Sequence, residues 1–515
     1  GFLPWRRMGG KLVCALADPA DIAHIRATVP GAAQHMTFVL ADRAQIEAEI
    51  ARLFAPELAR AARNRCPGSL SCRAWAGGRA RLRLGLAAVS LAAGLLFAPM
   101  TLLLGALVWI TVVNALTTLV RATALIESFR KPVTPAPGAN VVPLRPSDMH
   151  PVITLLIPLY RETGTLQHLI DALDRSTYPK ELLDVIFICE PDDPVTPITL
   201  ARIVPPPWCR VLTTPEDRLR TKPRAMNFAL DFARGEIIGI YDAEDRPEPG
   251  QLATIAAQFA ASPPEVGALQ GYLDFYNTGR NWLSRCFAIE YAIWFRVLLR
   301  GMQRLGVPLP LGGTTVFFRR AALESIGAWD AHNVTEDADL GMRMARGGYR
   351  TEVADTTTWE EANFRVLPWI RQRSRWLKGY AMTWVTHMRR PAALWRDLGA
   401  AGFVGFQILF LGGLTAYLAT PLFWCLWLGY WGFDLSVFDR ASPALWTGFF
   451  ASMLIGQAVM LSVAARAIWA RPRRHLVTTL PILALYWPMG AVAAYRAVLE
   501  IFTRPFYWDK TEHGV

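Results

Sequence analysis

Four long stretches of this chain carry no acidic or basic side chain: Leu84–Val120, Leu398–Phe433, Ala441–Ala465 and Leu476–Tyr495. An apolar run beyond about 18 residues is the mark of a membrane-crossing helix. Leu84–Val120 holds 37 residues, too many for one span, because a helix of that length extends about 55 Å against a hydrocarbon core of about 30 Å. Pro99 near its middle supplies a break, so the run predicts two spans in a tight hairpin. A buried helix of a large soluble protein is the competing reading, and the length speaks against it. Leu398–Phe433 is also long enough for two spans. The cluster Arg466, Arg471, Arg473, Arg474 and His475 belongs on the cytoplasmic side by the positive-inside rule. If the polar middle of the chain is cytoplasmic too, an even number of crossings separates the two. One crossing in Leu398–Phe433, its start lying along the interface, and one in Ala441–Ala465 meet that condition. The last stretch either crosses once or folds back at Pro488-Met489-Gly490.

Composition agrees with a membrane protein. Hydrophobic residues make up 52% and charged residues 19%, with 19 Trp and 25 Phe, side chains that concentrate at membrane interfaces and in sugar-binding grooves. The net charge of +12 reads as basic residues retained in cytoplasmic loops. Nucleic acid is not an expected partner, since the Arg residues are dispersed and no basic stretch is interleaved with aromatics. Cysteines at 14, 66, 72, 189, 209, 286 and 425 form no CxxC pair and have no nearby His, so they read as reduced structural thiols. The chain opens GFLPWRR without an initiator Met and shows no secretory signal, and we expect it to begin inside a longer protein.

Two soluble pieces remain. Residues 1–62 alternate short strands (Leu12–Leu16, Met36–Leu40) with helices starting near Asp18-Pro19 and Ala41-Asp42, the second carrying Ile46, Ile50, Leu53 and Phe54 at helical spacing. This predicts a small α/β module. Residues 131–150 are a Pro-rich linker. Beyond it, Val152–Leu159, Val185–Cys189, Arg210–Thr213 and Ile237–Tyr241 read as strands separated by helices, which predicts a mostly parallel, doubly wound sheet with ligands at the carboxyl ends of its strands. The acids lie there: Glu190-Pro191-Asp192-Asp193 follows one strand and Asp242-Ala243-Glu244-Asp245 another. Packed carboxylates repel one another unless a cation or hydrogen-bond donors compensate, and a hard divalent ion holding a diphosphate explains the second cluster. A solvated acidic loop is the plainer alternative.

The order of motifs resembles that of the processive family-two glycosyltransferases, the group of the cellulose, curdlan and hyaluronan synthases. Ile157-Pro158-Leu159-Tyr160-Arg161-Glu162 resembles the opening IPxYNE loop, and Glu190, Asp192 and Asp193 fall where the family holds the uracil ring. Thr221-Lys222-Pro223-Arg224-Ala225-Met226-Asn227 resembles GKxxALN, which implies Lys222 and Asn227 near the nucleotide. Asp242-Ala243-Glu244 matches the metal-binding DxD with Glu as its second acid, implying Mg2+ or Mn2+ on Asp242 and Glu244. Gly312-Gly313-Thr314 resembles the turn placed near the acceptor. Thr335-Glu336-Asp337 matches TED, so the resemblance implies Asp337 as general base, with Glu336 beside the acceptor. Gln372-Arg373-Ser374-Arg375-Trp376 matches QxxRW, the mark of processive synthases. There Gln372 and Arg375 attend the nucleotide sugar, and Trp376 offers a flat apolar face to the sugars. Leu367–Trp384 and Asn281–Leu305 also read as amphipathic interface helices. His24, His35, His168 and His332 lack ligand-like spacing and read as structural or exposed.

The resemblance implies a GT-A (Rossmann-like) α/β domain at 151–395, inserted between transmembrane helices at 82–124 and 398–505. Its expected work is inverting, processive transfer from a UDP-sugar, UDP-glucose first, onto a growing β-linked exopolysaccharide passed across the bacterial inner membrane. The tail 506–515 resembles that of exopolysaccharide and β-glucan synthases. Residues 1–60 resemble the second half of the N-terminal domain of type II secretion ATPases (MshE-type), which implies cyclic di-GMP as an effector, although no RLGxxL or PilZ-like motif occurs here. A periplasmic export partner completes the expected set. The alternatives are a single-transfer lipid glycosyltransferase and a degenerate scaffold subunit that responds to cyclic di-GMP.

Overall fold

The computed structural model describes residues 2–28, 35–76, 78–130, 150–430, 442–469 and 473–507. Residues 131–149 of the Pro-rich linker, residues 431–433 of the second apolar stretch, Arg471 and the tail from 508 onward lie outside the described residues.

The N-terminal module is a three-stranded sheet of order β1-β2-β3, with β1 (Phe2–Met8) antiparallel to β2 (Lys11–Leu16) and β2 parallel to β3 (Met36–Leu40). Asp42 caps the helix Arg43–Leu53 by accepting from the Gln45 N–H at 3.1 Å. The next helix, Ala55–Asn64, leaves this module and packs on the larger domain.

The larger domain is built on an eight-stranded sheet of order β6-β5-β4-β7-β10-β9-β11-β8. Strands β4 (Ile153–Leu159), β5 (Leu183–Cys189), β6 (Cys209–Thr213) and β7 (Ile237–Ile240) are mutually parallel, as expected. The expectation of a mostly parallel sheet holds only for this half. β10 (Val316–Arg319) runs antiparallel to both β7 and β9 (Val266–Phe275), β11 (Arg350–Glu360) is parallel to β9, and β8 (Arg246–Pro247) closes the edge antiparallel to β11. The sheet is therefore mixed. Alternate residues of β4 feed opposite faces, as the two-residue strand period requires. Leu155, Ile157 and Leu159 meet the helices Leu166–Asp174 and Gln251–Ala261, while Leu156 meets the helix Lys222–Leu230.

Among the described residues, four helices are long and apolar enough to cross a membrane: Pro99–Glu127, Pro391–Leu422, Pro443–Ile468 and Arg473–Thr503. Pro99 does break the first apolar run, standing at the start of its helix, but the preceding arm, Gly78–Phe97, is apolar only over Gly85–Phe97 and falls short of that length. The helix from Pro391 is bent at Gly399 (φ 68°), where its backbone leaves helical geometry. Leu483–Thr503 runs on through Pro488, so the chain does not fold back there. Arg473 is buried and its Nε donates to Asp274 Oδ2 at 2.5 Å, at the end of β9. Asn281–Leu305 forms one long helical element with a π-helical centre at Ala292–Leu298, and its buried side chains pack on Ala124, Met460 and Val463 of the apolar helices.

The helix Glu336–Arg346 is tied to the long helix Val366–His387 by a buried triad. Asp339 accepts from Arg343 Nε at 2.7 Å and from His387 Nε2 at 3.0 Å, while Arg346 donates to His387 Nδ1 at 3.1 Å. Asp339 is 0% exposed. Asp339→Ala would strand the Arg343 guanidinium, and we expect a loss of about 3–5 kcal/mol, read as a lower thermal melting midpoint in detergent.

Candidate active site

The strand ends bring most of the expected residues to one cleft. Where β4 ends, Arg161 holds a left-handed backbone (φ 56°), an uncommon conformation for a side-chain-bearing residue. Its N–H donates to Asp193 Oδ2 at 2.5 Å. Asp193 also accepts from the Val195 N–H (2.9 Å), the Thr196 N–H (3.2 Å) and Thr196 Oγ1 (2.5 Å). Burial opposes its charge, yet these donors hold its carboxyl below the ordinary range. Asp193 thus shapes the loop from within. Glu190 is turned inward too, its Oε2 accepting from Arg224 Nη2 at 2.6 Å and Thr214 Oγ1 at 2.8 Å, with burial raising its pKa. Asp192 is the partly exposed acid of the three, accepting from Tyr160 Oη at 3.5 Å and paired with Arg220. Glu162 follows on the same loop, its N–H on Thr196 Oγ1 at 3.0 Å.

Lys222 opens its helix and bridges the centre of the cleft. Its Nζ donates to Asp242 Oδ1 at 2.5 Å and to the Gly313 carbonyl at 3.1 Å. Burial works against the ammonium, but Asp242, Glu336 and Asp337 hold its pKa above the ordinary lysine value. Asp242 and Glu244 are both partly exposed, with Asp245 fully buried beneath them. Asp245 Oδ2 accepts from the Asp242 N–H at 2.8 Å and from Thr314 Oγ1, while its Oδ1 is buried without a partner. Burial and the neighbouring Asp242 and Glu244 push Asp245 well above the usual carboxylate range, and burial with the same three acids does so for Glu360 on β11. Among the described residues no three acids, thiols or imidazoles converge into a closed metal cage. A divalent ion fits this edge nonetheless, because it wants oxygen donors, keeps some coordination sites for phosphate oxygens, and relieves the repulsion of crowded carboxylates.

The TED residues face this cluster. A Cβ placed on Gly313 would lie 2.7 Å from Asp337 Oδ2, so the Gly312–Thr314 turn abuts the expected base. Asp337 Oδ1 accepts the Ala338 N–H at 2.8 Å. Burial raises the Asp337 pKa against the pull of that N–H, Lys222 and Arg375, and burial with the charge of Asp337 pushes Glu336 up to about 8. Below about 8 Glu336 therefore keeps its proton, whereas burial lifts the Asp337 carboxyl above the ordinary aspartate range. We therefore expect turnover to fall on acidification at a pH above the ordinary aspartate value of about 3.9, with Glu336→Gln leaving that limb in place; a kcat–pH profile reads both.

From the helix Val366–His387, Arg375 Nη1 reaches the Val334 carbonyl at 3.4 Å, just before the TED residues. Trp376 tilts against Tyr291 and Phe287, with ring centroids 6.5 and 6.1 Å away. Gln372 accepts from Asn363 Nδ2 at 2.9 Å. Arg373, one of the unassigned positions of QxxRW, is the anchor of the motif: it grips Glu290 at 2.8 and 2.5 Å and lies 4.8 Å over the Trp376 ring. Its signal in the sequence was only its place inside the motif. Asn227 departs from expectation. It is fully buried, turned away from the cleft, and its Nδ2 donates to the carbonyls of Ala62 (2.9 Å) and Trp329 (2.8 Å).

Residues 237–489 match the family described as glycosyl transferase family group 2, and residues 1–60 match the MshEN domain. Curated relatives include the probable glycosyltransferase YdaM of Bacillus subtilis, 26% identical over 233 residues (44% of this chain, 55% of that one). The probable glucomannan 4-beta-mannosyltransferase 1 of Arabidopsis thaliana is 23% identical over 292 residues (54% and 52%). The beta-monoglucosyldiacylglycerol synthase of Trichormus variabilis is 26% identical over 233 residues (44% and 49%). The chain spans about half the length of these relatives. A solved mannosyltransferase from Pyrobaculum calidifontis, in complex with GDP-Man and Mn2+, aligns at 20% identity over 78% of this chain and 99% of its own, with a TM-score of 0.47, too distant to carry an argument. Over residues 237–489 the chain is thus similar to the glycosyltransferases of family group 2, and over residues 1–60 to MshEN domains.

Proposed function

We propose that this protein is a processive, inverting glycosyltransferase of the bacterial inner membrane, its catalytic domain cytoplasmic, that polymerises UDP-glucose into a β-linked polysaccharide and passes it across the bilayer. The observation that carries this reading is the convergence of Lys222, Asp242, Gly313 and Asp337, with Arg375 reaching the Val334 carbonyl just before TED from a helix packed against apolar helices. Tyr160, Glu162 and Asp192 line the nucleoside end. Asp242 and Glu244 would hold Mg2+ or Mn2+, which would neutralise charge at the diphosphate. Asp337 takes the proton of an acceptor hydroxyl as its oxygen attacks the anomeric carbon. The new C–O bond forms, the bond to the diphosphate oxygen breaks, and the nucleoside diphosphate leaves with that electron pair. Lys222 and Arg375 steady the charge that develops on it. Gly313, Thr314, Glu336 and Trp376 border the acceptor.

The relatives support two acceptors, since one is named for glucomannan and another for a glycosylated diacylglycerol. Product length separates polymerisation from single transfer to a lipid. Detergent-solubilised protein incubated with Mg2+ and radiolabelled UDP-glucose should yield long, glucanase-sensitive chains. A single glycolipid band would replace processivity with single transfer, and turnover of another nucleotide sugar alone would replace the donor. EDTA should abolish synthesis and added Mg2+ or Mn2+ restore it. The MshEN domain supports cyclic di-GMP as an effector, with a periplasmic partner receiving the product; calorimetry on the full-length protein that registers no binding would remove the effector.

A further inference from the structure

We propose that the segment Ala62–Cys72, which follows the N-terminal module, is a splint that sets the spacing between the Lys222 helix and the TED loop, with Asn227 and Asp330 as the positioning residues that receive it. The inference rests on the functional reading above in taking Lys222 and Asp337 as catalytic.

The splint touches both halves of the cleft from behind. Ala62 is 0% exposed and sits in one apolar cluster with Met226 of the Lys222 helix and Trp329 of the chain leading to TED. Asn227, on the Lys222 helix, joins the three: its Nδ2 donates to the Ala62 and Trp329 carbonyls, and its Oδ1 accepts the Trp329 N–H at 3.1 Å. Arg65 Nη1 adds bonds to the Asn227 carbonyl (3.1 Å) and Asp231 Oδ1 (2.6 Å). Next, the splint passes over Gly327, whose backbone is left-handed (φ 80°) and where a Cβ would lie 2.6 Å from Pro67 Cδ and 2.8 Å from the Arg65 carbonyl. The chain then reaches Asp330, which is 0% exposed. That carboxylate accepts from Ser71 Oγ at 2.8 Å, the Cys72 N–H at 2.6 Å and the His332 N–H at 3.2 Å.

From Asp330 the order continues into the site. Thr221, beside Lys222, donates from Oγ1 to the Ala331 carbonyl at 2.9 Å, and Asn333 Oδ1 accepts the Thr335 N–H at 3.0 Å. Two of the three donors on Asp330, and one of the two acceptors of the Asn227 amide, come from the splint. Lifting it would leave a buried carboxylate short of donors and a buried amide short of an acceptor, which is costly in an apolar surround. The chain relieves that cost by shifting the TED loop and the Lys222 helix, so the distance between Lys222 and Asp337 depends on a segment outside the transferase sheet.

Hydrogen exchange read by mass spectrometry on the full chain in detergent tests this, with Ser71→Ala, Ser71→Thr and Gly327→Ala. Ser71→Ala and Gly327→Ala should speed exchange of the amides of 331–338 and 222–230 about tenfold, the scale of one hydrogen bond to a buried charge. They should lower kcat for the nucleotide sugar by a similar factor and leave KM within about twofold, while Ser71→Thr restores both. Faster exchange confined to 65–76, with the site amides unchanged, would overturn the proposal, as would a rise in KM alone. A wild-type protein inert toward every nucleotide sugar would remove the functional reading, while the exchange comparison would still decide the splint.

Discussion

Asp337→Asn lowers kcat by about 10²–10⁴, the range by which a positioned general base accelerates proton transfer, with little change in KM for the nucleotide sugar. The substitution keeps the size of the side chain and an oxygen to accept the Ala338 N–H, so the start of the helix Glu336–Arg346 stays formed. What disappears is the only role an amide cannot fill, accepting a proton at the pH of the reaction. In the wild type Glu336 does not share the role, because it is held protonated up to about 8 by burial and by the charge of Asp337 itself. In the variant that charge is gone, and Glu336 titrates at lower pH. Residual turnover should therefore show a shifted acid limb. Initial rates across pH with wild type and variant check both statements, and a variant that retains more than a tenth of wild-type kcat would show that the proton goes elsewhere.

Gly379→Ala has the second large effect, because residue 379 lies one turn beyond Arg375 on the same helix face and meets Thr335. A Cβ there would stand 2.1 Å from Thr335 Oγ1 and 2.6 Å from Thr335 Cγ2. No rotamer of Thr335 clears all of these atoms, since its Cβ would lie only 2.7 Å away as well. The helix bearing Arg375 and Trp376 and the loop bearing Asp337 must move apart. A displacement of about 1 Å at a reacting centre costs on the order of 10²-fold in rate. We expect kcat to fall by about that factor while nucleotide binding, measured by calorimetry with UDP, persists. The opposite split, with UDP binding lost and kcat kept, would mean that the helix and loop do not act together.

Much of this was readable in the amino acids, and the limits have physical causes. The parallel strands β4 to β7 were legible because each is a short apolar run ending in turn residues or acids. β9, β10 and β11 were not. All ten residues of β9 are buried, so it shows no alternation, β10 is four residues long, and β11 buries a run of threonines (Thr356, Thr357, Thr358) that reads as polar. The reversal that makes the sheet mixed was hidden with them. β1 was missed because Trp5, Arg6 and Arg7 are exposed and Pro4 interrupts the pattern. At the site, motif order located the cleft, but spacing along a chain does not say which way a side chain turns. Asn227 lies five residues beyond Lys222 on the same helix and faces backward, to Ala62. Glu190 and Asp193 likewise spend their oxygens on Arg224 and on their own loop. Conversely, Arg373 and Asp245 stood next to recognised positions, and they hold Glu290 and the Asp242 N–H.

Residues 500–507 reach back to the helix of Arg375. Lys378, on the helix of Arg375, is fully buried and donates to Glu500 at 3.0 Å and to the Tyr507 carbonyl at 2.9 Å. Val334, just ahead of TED, shares an apolar cluster with Cys72 from the front of the chain and with Ile501 and Phe506 from its end. On the ribosome, the sheet and both catalytic loops are made and exposed long before those residues leave the exit tunnel. Until they do, Lys378 lacks its carboxylate partner and Val334, ahead of TED, lacks Ile501 and Phe506. Truncation before Glu500 should leave the buried Lys378 ammonium without its carboxylate partner, read as a lower melting midpoint in detergent.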